Sequence, residues 1–308
     1  MINFKNLKKN LIILLSFIII IFIMVTITYP HHLYLFIQGF PGSEEMPWGD
    51  AWHYYSMAIS FPFNSTADAP FCYRILTPLI LYIIPLDPKI GFFWFTLICT
   101  ILTSFLFYYY LKQFNFNTYY TFIGTIIFII SVPNFYLLFY TMFVDPLNYF
   151  LFLFGCIVLL NIERGKIKGL FEIILMSSIL AIGILNKETI IILILIYCMI
   201  TKGHKGYRIV KSIIISIPPA IIYILLRSLI PYSGYTYEGI WIIHHIINWQ
   251  NTIFNILIPF ILLWILLIPS VYKSNFMTIK NCLFLKYSSL IIPIFLFQII
   301  FEIGRAHV

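Results

Sequence analysis

Apolar runs long enough to cross a lipid bilayer recur along the whole of this 308-residue sequence. A helix needs about 20 consecutive apolar residues to cross the roughly 30 Å hydrocarbon core, because it rises about 1.5 Å per residue. Hydrophobic residues make up 61% of the sequence and charged residues 10%, whereas about a quarter of an ordinary soluble domain is charged. The sequence therefore predicts an all-α, polytopic transmembrane helix bundle and excludes a water-soluble domain.

About nine spans fit these runs, and residues 1–302 are predicted to form a single transmembrane domain. The predicted spans are 11–28, 90–111, 118–132, 146–162, 170–185, 189–201, 212–230, 252–272 and 288–301. The first span follows Lys5, Lys8 and Lys9 and has no small-residue cleavage site. It is therefore predicted to be an uncleaved anchor whose N-terminus lies in the cytoplasm.

The lysines and arginines collect on one side when the spans alternate in direction. Fourteen of them fall in cytoplasmic segments: Lys5, Lys8, Lys9, Lys112, Arg164, Lys166, Lys168, Lys202, Lys205, Arg208, Lys211, Lys273, Lys280 and Lys286. Only Arg74, Lys89, Lys187 and Arg227 fall on the outer side. Cytoplasmic loops of membrane proteins are enriched in positive charge, so we predict a multi-pass protein of the cytoplasmic membrane. Most acidic residues then lie at its outer face.

The formal net charge of +8 does not indicate a nucleic-acid partner, because the basic residues are spread over short loops instead of one face. Membrane lipids are the expected surroundings. The five cysteines form neither a disulfide framework nor a metal-binding spacing. The sequence leaves the oligomeric state open.

The last six residues, IGRAHV at 303–308, back-translate to a DNA sequence that resembles a short-read sequencing adapter. We therefore expect these residues to be an artefact. The natural chain is then expected to continue from a span that is cut near Phe301.

The predicted outer connection from residue 30 to 89 is far longer than any other. Long connections in compact proteins are usually functional or disordered, and the aromatic content of this one argues against disorder. Residues 50–59 begin with Asp50, an N-cap residue type, and place Trp52 and Ile59 on one helical face. This pattern predicts a short amphipathic helix that lies at the membrane surface.

A second short helix is predicted at residues 75–84, after the segment PFCYRILTP that begins at Pro70. Pro78 lies either in its opening turn, where proline is tolerated, or at a kink. A later aspartate, Asp145, stands where a predicted span begins on the outer side.

Together, the N-terminal anchor, the GDAWHYY stretch around Asp50, the PFCYRILTP segment and Asp145 resemble the GT-C class of membrane glycosyltransferases. The resemblance covers residues 11–201. It implies that an acidic residue of the first outer loop acts at the active site, and that the donor is a sugar on a polyprenyl phosphate or pyrophosphate. The chain has Gly49-Asp50 where many members carry two close acids, so a divalent metal is compatible with the site but not required.

Asp50 is our predicted general base, because an acceptor hydroxyl must lose its proton as it attacks the anomeric carbon. Arg74 is predicted to bind the lipid phosphate of the donor through its bidentate fork. The alternatives are that Asp50 caps a helix and that Arg74 extends to lipid headgroups.

Asp145, Lys187 and Glu188 are further candidates, since ionisable groups near membrane spans are often functional. Asp145 is predicted to be the second catalytic acid, and Lys187 and Glu188 to bind substrate. Asp145 could instead cap the helix that follows it, and Lys187 and Glu188 could form a local pair in a turn.

His53, Trp52 and His244 complete the predicted substrate-binding set. His53 lies one helical turn from Asp50 and could bond to it or to substrate, or simply be solvated. Trp52 is placed to stack on a sugar ring. His244, next to His245, could contact phosphate or a metal ion, although adjacent histidines define no ligand geometry.

Three functions remain open at the level of sequence. The first is an enzyme that transfers a sugar from a lipid-linked donor to an acceptor at the outer face, with polymerases and ligases of similar substrates as close variants. The second is a transporter or flippase for a lipid-linked or small-molecule substrate, for which we find neither an internal repeat nor mid-span charges. The third is a structural or assembly subunit.

Overall fold

The computed structural model describes residues 4–38, 49–64, 67–231 and 234, and side chains in the first two ranges for residues 11–28 and 51–63. The described residues form helices and no strand. The α-helices are α1 (Phe4–Gln38), α2 (Gly49–Ile59), α3 (Leu76–Ile83), α4 (Pro88–Gln113), α5 (Thr118–Ile129), α6 (Val132–Phe139), α7 (Asp145–Glu163), α8 (Gly169–Asn186), α9 (Ile192–Ile200) and α10 (Lys205–Leu229). Short 3-10 helices lie at Pro62–Asn64, Phe71–Tyr73 and Glu188–Ile191. The all-α prediction is confirmed for this part of the chain.

Five helices are long and apolar enough to cross a membrane, as expected of a multi-pass membrane protein. They are α1 over Leu11–Thr28, α4, α7, α8 and α10. Helices α5 and α6 meet the same criteria only as a pair, bent by 46°. The described residues thus provide five spans, or six if the bent pair is one span.

Seven of the nine predicted spans fall on described residues. Five coincide with the long helices, and 118–132 overlaps the bent pair. The span predicted at 189–201 corresponds to a short apolar helix, Glu188–Ile200, which at about 1.5 Å per residue is too short to cross the hydrocarbon core. The spans predicted at 252–272 and 288–301, and residues 303–308, lie outside the described residues, so the count of nine stays a prediction.

A proline explains the bend between α5 and α6. Pro133 stands in the first turn of α6, and its missing N–H prevents α5 from continuing as one straight helix. The side chain of Asn134 donates a 2.6 Å hydrogen bond to the carbonyl of Phe128. This bond satisfies a backbone acceptor near the break.

Contacts between helix termini show that the helices alternate in direction. At one end of the bundle Arg164, after α7, donates to the side chain of Gln113 at the end of α4, and Lys211 pairs with Glu172 near the start of α8. We call this the basic end, because it holds the turns around residues 112–118, 163–169 and 201–211. At the opposite end, called the loop end, segment 49–87 meets the turns at 139–145 and 186–191.

Segment 49–87 is packed onto the loop end. Helix α2 buries Ala51, Tyr54, Met57 and Ala58 and leaves Trp52 exposed. Ala51, Tyr54 and Ala58 share an apolar cluster with Phe71, Leu81, Phe92, Met142 and Val144. The face predicted around Trp52 is therefore the outward face of α2.

Helix α3 begins at Leu76, which places Pro78 in its opening turn. Helix α4 begins directly after Asp87, whose carboxylate accepts a 2.8 Å hydrogen bond from the N–H of Lys89. A capping aspartate and Pro88 in the first turn are typical of a helix start. Segment 49–87 therefore ends in a fixed geometry above α4.

Candidate functional site

Arg74 joins segment 49–87 to the turn after α8. Its Nε and Nη2 atoms donate to the two carboxylate oxygens of Glu188 at 3.0 and 2.9 Å. Its Nη1 atom donates to the hydroxyl of Tyr54 in α2 at 2.9 Å, and its guanidinium carbon lies 5.6 Å from the centre of the Phe71 ring. A bidentate pair of this kind is among the stronger and more directional contacts in proteins.

Lys187, the neighbour of Glu188, pairs with a different element, the start of α7. Its Nζ atom lies 2.6 Å from Oδ1 of Asp145, the first residue of α7. Lys187 and Glu188 therefore pair with distant partners instead of with each other. Helix α7 shows no hydrogen bond from a side-chain cap at its start, so Asp145 is the partner of Lys187 rather than a capping residue.

We call the place where segment 49–87 meets the turns at 139–145 and 186–191 the junction. Neutral polar side chains reinforce it. Thr77 in α3 donates to Asn186 Oδ1 at 2.7 Å, and Asn186 Nδ2 donates to the carbonyl of Val144 at 2.8 Å. Asn148, one turn into α7, donates to Thr189 Oγ1 at 3.2 Å. Its own Oδ1 is buried with no hydrogen-bond partner. Asn186 thus bridges the segment that carries Arg74 and the turn that carries Asp145.

In both ion pairs the cation is buried and the carboxylate is partly exposed. The side chain of Arg74 is 3% exposed and that of Glu188 is 29% exposed. Lys187 is 5% exposed and Asp145 is 17% exposed. The carboxylate is therefore the more exposed member of each pair.

The surroundings of Arg74 keep it charged. Burial opposes the charge, but Tyr54 and the Glu188 carboxylate outweigh it and raise the pKa of Arg74 well above its usual value. Breaking this pair would leave an uncompensated buried charge, which is strongly destabilising. Arg74 does not extend to lipid headgroups in this structure, because it is almost fully buried.

His53 packs against other residues of segment 49–87. Its ring stacks on Phe71 at 4.7 Å with an interplanar angle of 8°, and its Nδ1 accepts a 3.4 Å hydrogen bond from the N–H of Asp68. Its Nε2 lies 3.9 Å from the carboxylate of Asp68. Burial lowers the pKa of His53, and the Asp68 carboxylate opposes that shift in part. The ring is therefore held mainly as a neutral group.

Asp50 lies in the first turn of α2, so the helix begins one residue earlier than predicted. Its side chain lies outside the described residues. The next residue, Ala51, shares a cluster with Val144, which brings the start of α2 towards the turn that precedes Asp145. Trp52 lies on the outward face of α2, with its ring 5.8 Å from that of Tyr55. His244 lies outside the described residues.

The structure adds three residues that sequence analysis did not select as site residues: Thr77, Asn148 and Asn186. Each is a buried polar residue at the junction. Their only sequence signal is a hydrogen-bonding side chain within an otherwise apolar helix. Many other polar residues of this chain share that signal, including threonines of α4 that bond back to their own helix.

Within the part of the chain that the structure describes, no group of three or more His, Cys, Asp or Glu side chains is arranged to hold a metal ion. Comparisons with protein-family profiles, with curated proteins and with solved structures find no match.

Proposed function

We propose that this chain is a membrane glycosyltransferase of the GT-C kind, which moves a sugar from a polyprenyl-phosphate donor to an acceptor hydroxyl. One observation carries the proposal. Segment 49–87 is packed onto one end of the helix bundle, where Arg74 and Lys187 pair with acids from separate elements. A long segment fixed in this way supports an active site better than it supports a flexible linker.

The proposed orientation places the loop end at the outer face of the cytoplasmic membrane and the basic end in the cytoplasm. Eight of the fourteen predicted cytoplasmic Lys and Arg residues lie at the described basic end, at positions 112, 164, 166, 168, 202, 205, 208 and 211. This distribution follows the positive-inside rule. Helices α2 and α3 then lie at the outer interface, with Trp52 and Tyr82 exposed towards lipid or sugar.

The proposed chemistry uses the carboxylates of Asp50 and Asp145. Asp50 takes the proton of the acceptor hydroxyl as the acceptor oxygen forms its bond to the anomeric carbon. The bond between that carbon and the phosphate oxygen breaks, and the electron pair leaves with the lipid phosphate. Asp145 is the second acid of the site and accepts hydrogen bonds from sugar or acceptor.

The geometry changes the role that we assign to Arg74. Its fork is occupied by Glu188 and Tyr54, so contact with a donor phosphate would require the buried pair to open. We therefore assign Arg74 and Glu188 the role of positioning residues, which hold segment 49–87 against the bundle. Lys187 positions Asp145 in the same way.

The experiment is sugar transfer in proteoliposomes that contain a polyprenyl-phosphate sugar. Asp50→Asn removes the base while keeping the shape and helix-start preference of the residue, and transfer is expected to fall by about 100-fold or more. Asp87→Asn is the matched control, because Asp87 lies in the same segment and only caps α4. Full transfer by Asp50→Asn would contradict the assigned base, and wild-type protein that transfers no sugar from any such donor would contradict the function.

A transporter or flippase is the second candidate, and one observation favours it. Glu172 and Tyr197 are buried within α8 and α9, where Tyr197 donates to Glu172 and Lys211 of α10 completes the group. Buried ionisable groups between helices are a feature of transporters. Movement of a fluorescent polyprenyl phosphate between leaflets of the same proteoliposomes, without transfer of sugar, would select this function.

A further inference from the structure

The last turn of α10 carries a cation whose hydrogen-bonding capacity is unused among the described residues. The guanidinium carbon of Arg227 lies 3.6 Å from the ring centre of Tyr223 and 4.5 Å from that of Tyr73. Described residues offer its N–H groups neither a hydrogen-bond acceptor nor a carboxylate. We call these three residues the Arg227 clamp.

The two rings contact the guanidinium group, and no described residue accepts a hydrogen bond from its N–H groups. A cation above an aromatic ring is attracted by the ring's negative face, and two such contacts restrict the side chain to few orientations. Guanidinium N–H groups at a free edge match the oxygens of a phosphate in a bidentate geometry. The clamp therefore has the form of a preorganised phosphate receptor.

The clamp lies next to the junction described above. Tyr73 directly precedes Arg74 in the chain, and it shares an apolar cluster with Leu226 and Ile230 at the end of α10. Leu185, just before the turn of Lys187 and Glu188, packs against the same cluster. The clamp therefore lies next to the segment that carries Arg74 and close to the end of α8.

The flank of α10 suits a lipid tail. Among the five candidate spans α10 is the least buried, because only 22% of its most apolar stretch is buried. Exposed side chains run down the helix from the clamp, at Ile224, Ile221, Ile217 and Ile213. A ligand with a phosphate at Arg227 would find an apolar surface in the direction of the membrane interior.

We propose that the Arg227 clamp binds the phosphate of the polyprenyl donor, with the prenyl chain along the exposed flank of α10. The identity of the lipid rests on the proposed function. The contrast with Arg74 supports the assignment, because the fork of Arg74 is fully used by Glu188 and Tyr54 whereas the edge of Arg227 has no acceptor among the described residues.

The test is equilibrium binding of radiolabelled farnesyl phosphate to the full chain in phosphatidylcholine nanodiscs, which needs no sugar transfer. Arg227→Gln is expected to weaken binding about tenfold or more, the scale of a lost charge-assisted contact. Arg227→Lys keeps the charge but loses the fork, so an intermediate loss is expected.

Lys89→Gln is the matched control, because Lys89 is a cation of the loop end that lies 5.9 Å from a single ring, Tyr55. It should leave binding unchanged. Farnesol, which lacks the phosphate, should not compete, and nanodiscs with phosphatidylglycerol should not abolish binding. Thermal unfolding is followed for each variant, and Arg227→Lys decides the result if Arg227→Gln does not fold.

Unchanged binding by Arg227→Gln would overturn the proposal, as would competition by farnesol. Equal competition by phosphatidylglycerol would assign the clamp to ordinary headgroups and overturn the donor assignment. Loss of farnesyl phosphate binding in Arg227→Gln, in a protein that transfers no sugar from any donor, would support the clamp and contradict the enzyme. Normal sugar transfer together with unchanged farnesyl phosphate binding in Arg227→Gln would support the enzyme and contradict the clamp.

Discussion

The two ends of the bundle bury opposite charges. At the loop end the cations are inside, with Arg74 3% and Lys187 5% exposed, and their carboxylate partners face outward. At the basic end the acid is inside: the side chain of Glu172 is 5% exposed, and that of its partner Lys211 is 14% exposed. The loop end therefore presents acids and the basic end presents cations, as expected if chemistry occurs at the first and cytoplasmic anchoring at the second.

The largest expected effect comes from breaking the buried pair at the loop end. Glu188→Gln removes the partner of Arg74, whose side chain is 3% exposed, and should destabilise the protein by about 3–5 kcal/mol, the scale for one uncompensated member of a buried pair. The double variant Arg74→Met with Glu188→Gln should recover much of this loss. Thermal unfolding in detergent measures both.

Glu172→Gln is the matched variant at the basic end. The cation that loses its carboxylate partner there, Lys211, is more exposed than Arg74, so a smaller loss is expected. Equal losses for Glu188→Gln and Glu172→Gln would contradict the proposed asymmetry between the ends.

A smaller effect is expected from the packing of the turn at the loop end. A Cβ atom on Gly183 would lie 2.5 Å from Cγ1 of the branched side chain of Ile190. Gly183→Ala should therefore cost about 1–3 kcal/mol of stability through overpacking.

Gly206 in α10 is the control for this substitution at the basic end. A Cβ atom there meets only the end of the His204 ring, at 3.4 Å. Gly206→Ala should be neutral or stabilising by up to about 1 kcal/mol, because alanine favours the helix. The same unfolding assay measures both variants, and a Gly183→Ala protein as stable as the wild type would show that the turn at residues 186–191 repacks easily.

The smallest expected effect is a pH dependence that is confined to the loop end. Burial lowers the pKa of His53 below its ordinary value of 6.5. The stability contributed by the neutral ring is therefore present above pH 6.5 and is lost as the pH falls through the lower folded value. His53→Gln should reduce the change in unfolding temperature between pH 7.5 and pH 5. An unchanged difference would assign the acid sensitivity to other groups.

Sequence patterns predicted the long helices well and the junction only in part. Apolar runs fix α4, α7, α8 and α10 to within a few residues, since burial of the backbone in lipid demands helices. The sequence also placed Asp145, Lys187 and Glu188 near one face. It predicted that Lys187 and Glu188 bind substrate and left a local pair in a turn as the alternative, because a one-dimensional pattern does not identify distant partners.

Segment 49–87 shows that a sequence pattern does not determine which face of a short helix is buried. A period of 3.6 residues identifies a face around Trp52, but an aromatic face can point to lipid or to protein with the same periodicity. In the structure the opposite face, with Ala51 and Tyr54, is buried. The small side chain of Ala51 permits close packing, whereas the bulky ring of Trp52 remains outside.

The sequence by itself determined the helical class, the membrane character and the charge asymmetry of this protein, because hydrophobic length and loop charge act locally along the chain. Tertiary structure decided which charges pair. Arg74 and Glu188 are separated by 114 positions and Lys187 and Asp145 by 42, and only the packing of segment 49–87 and the two turns brings them within hydrogen-bond distance. The same packing places Arg227 against the rings of Tyr223 and Tyr73. The partners of a charge depend on its neighbours in space and not on its neighbours in sequence.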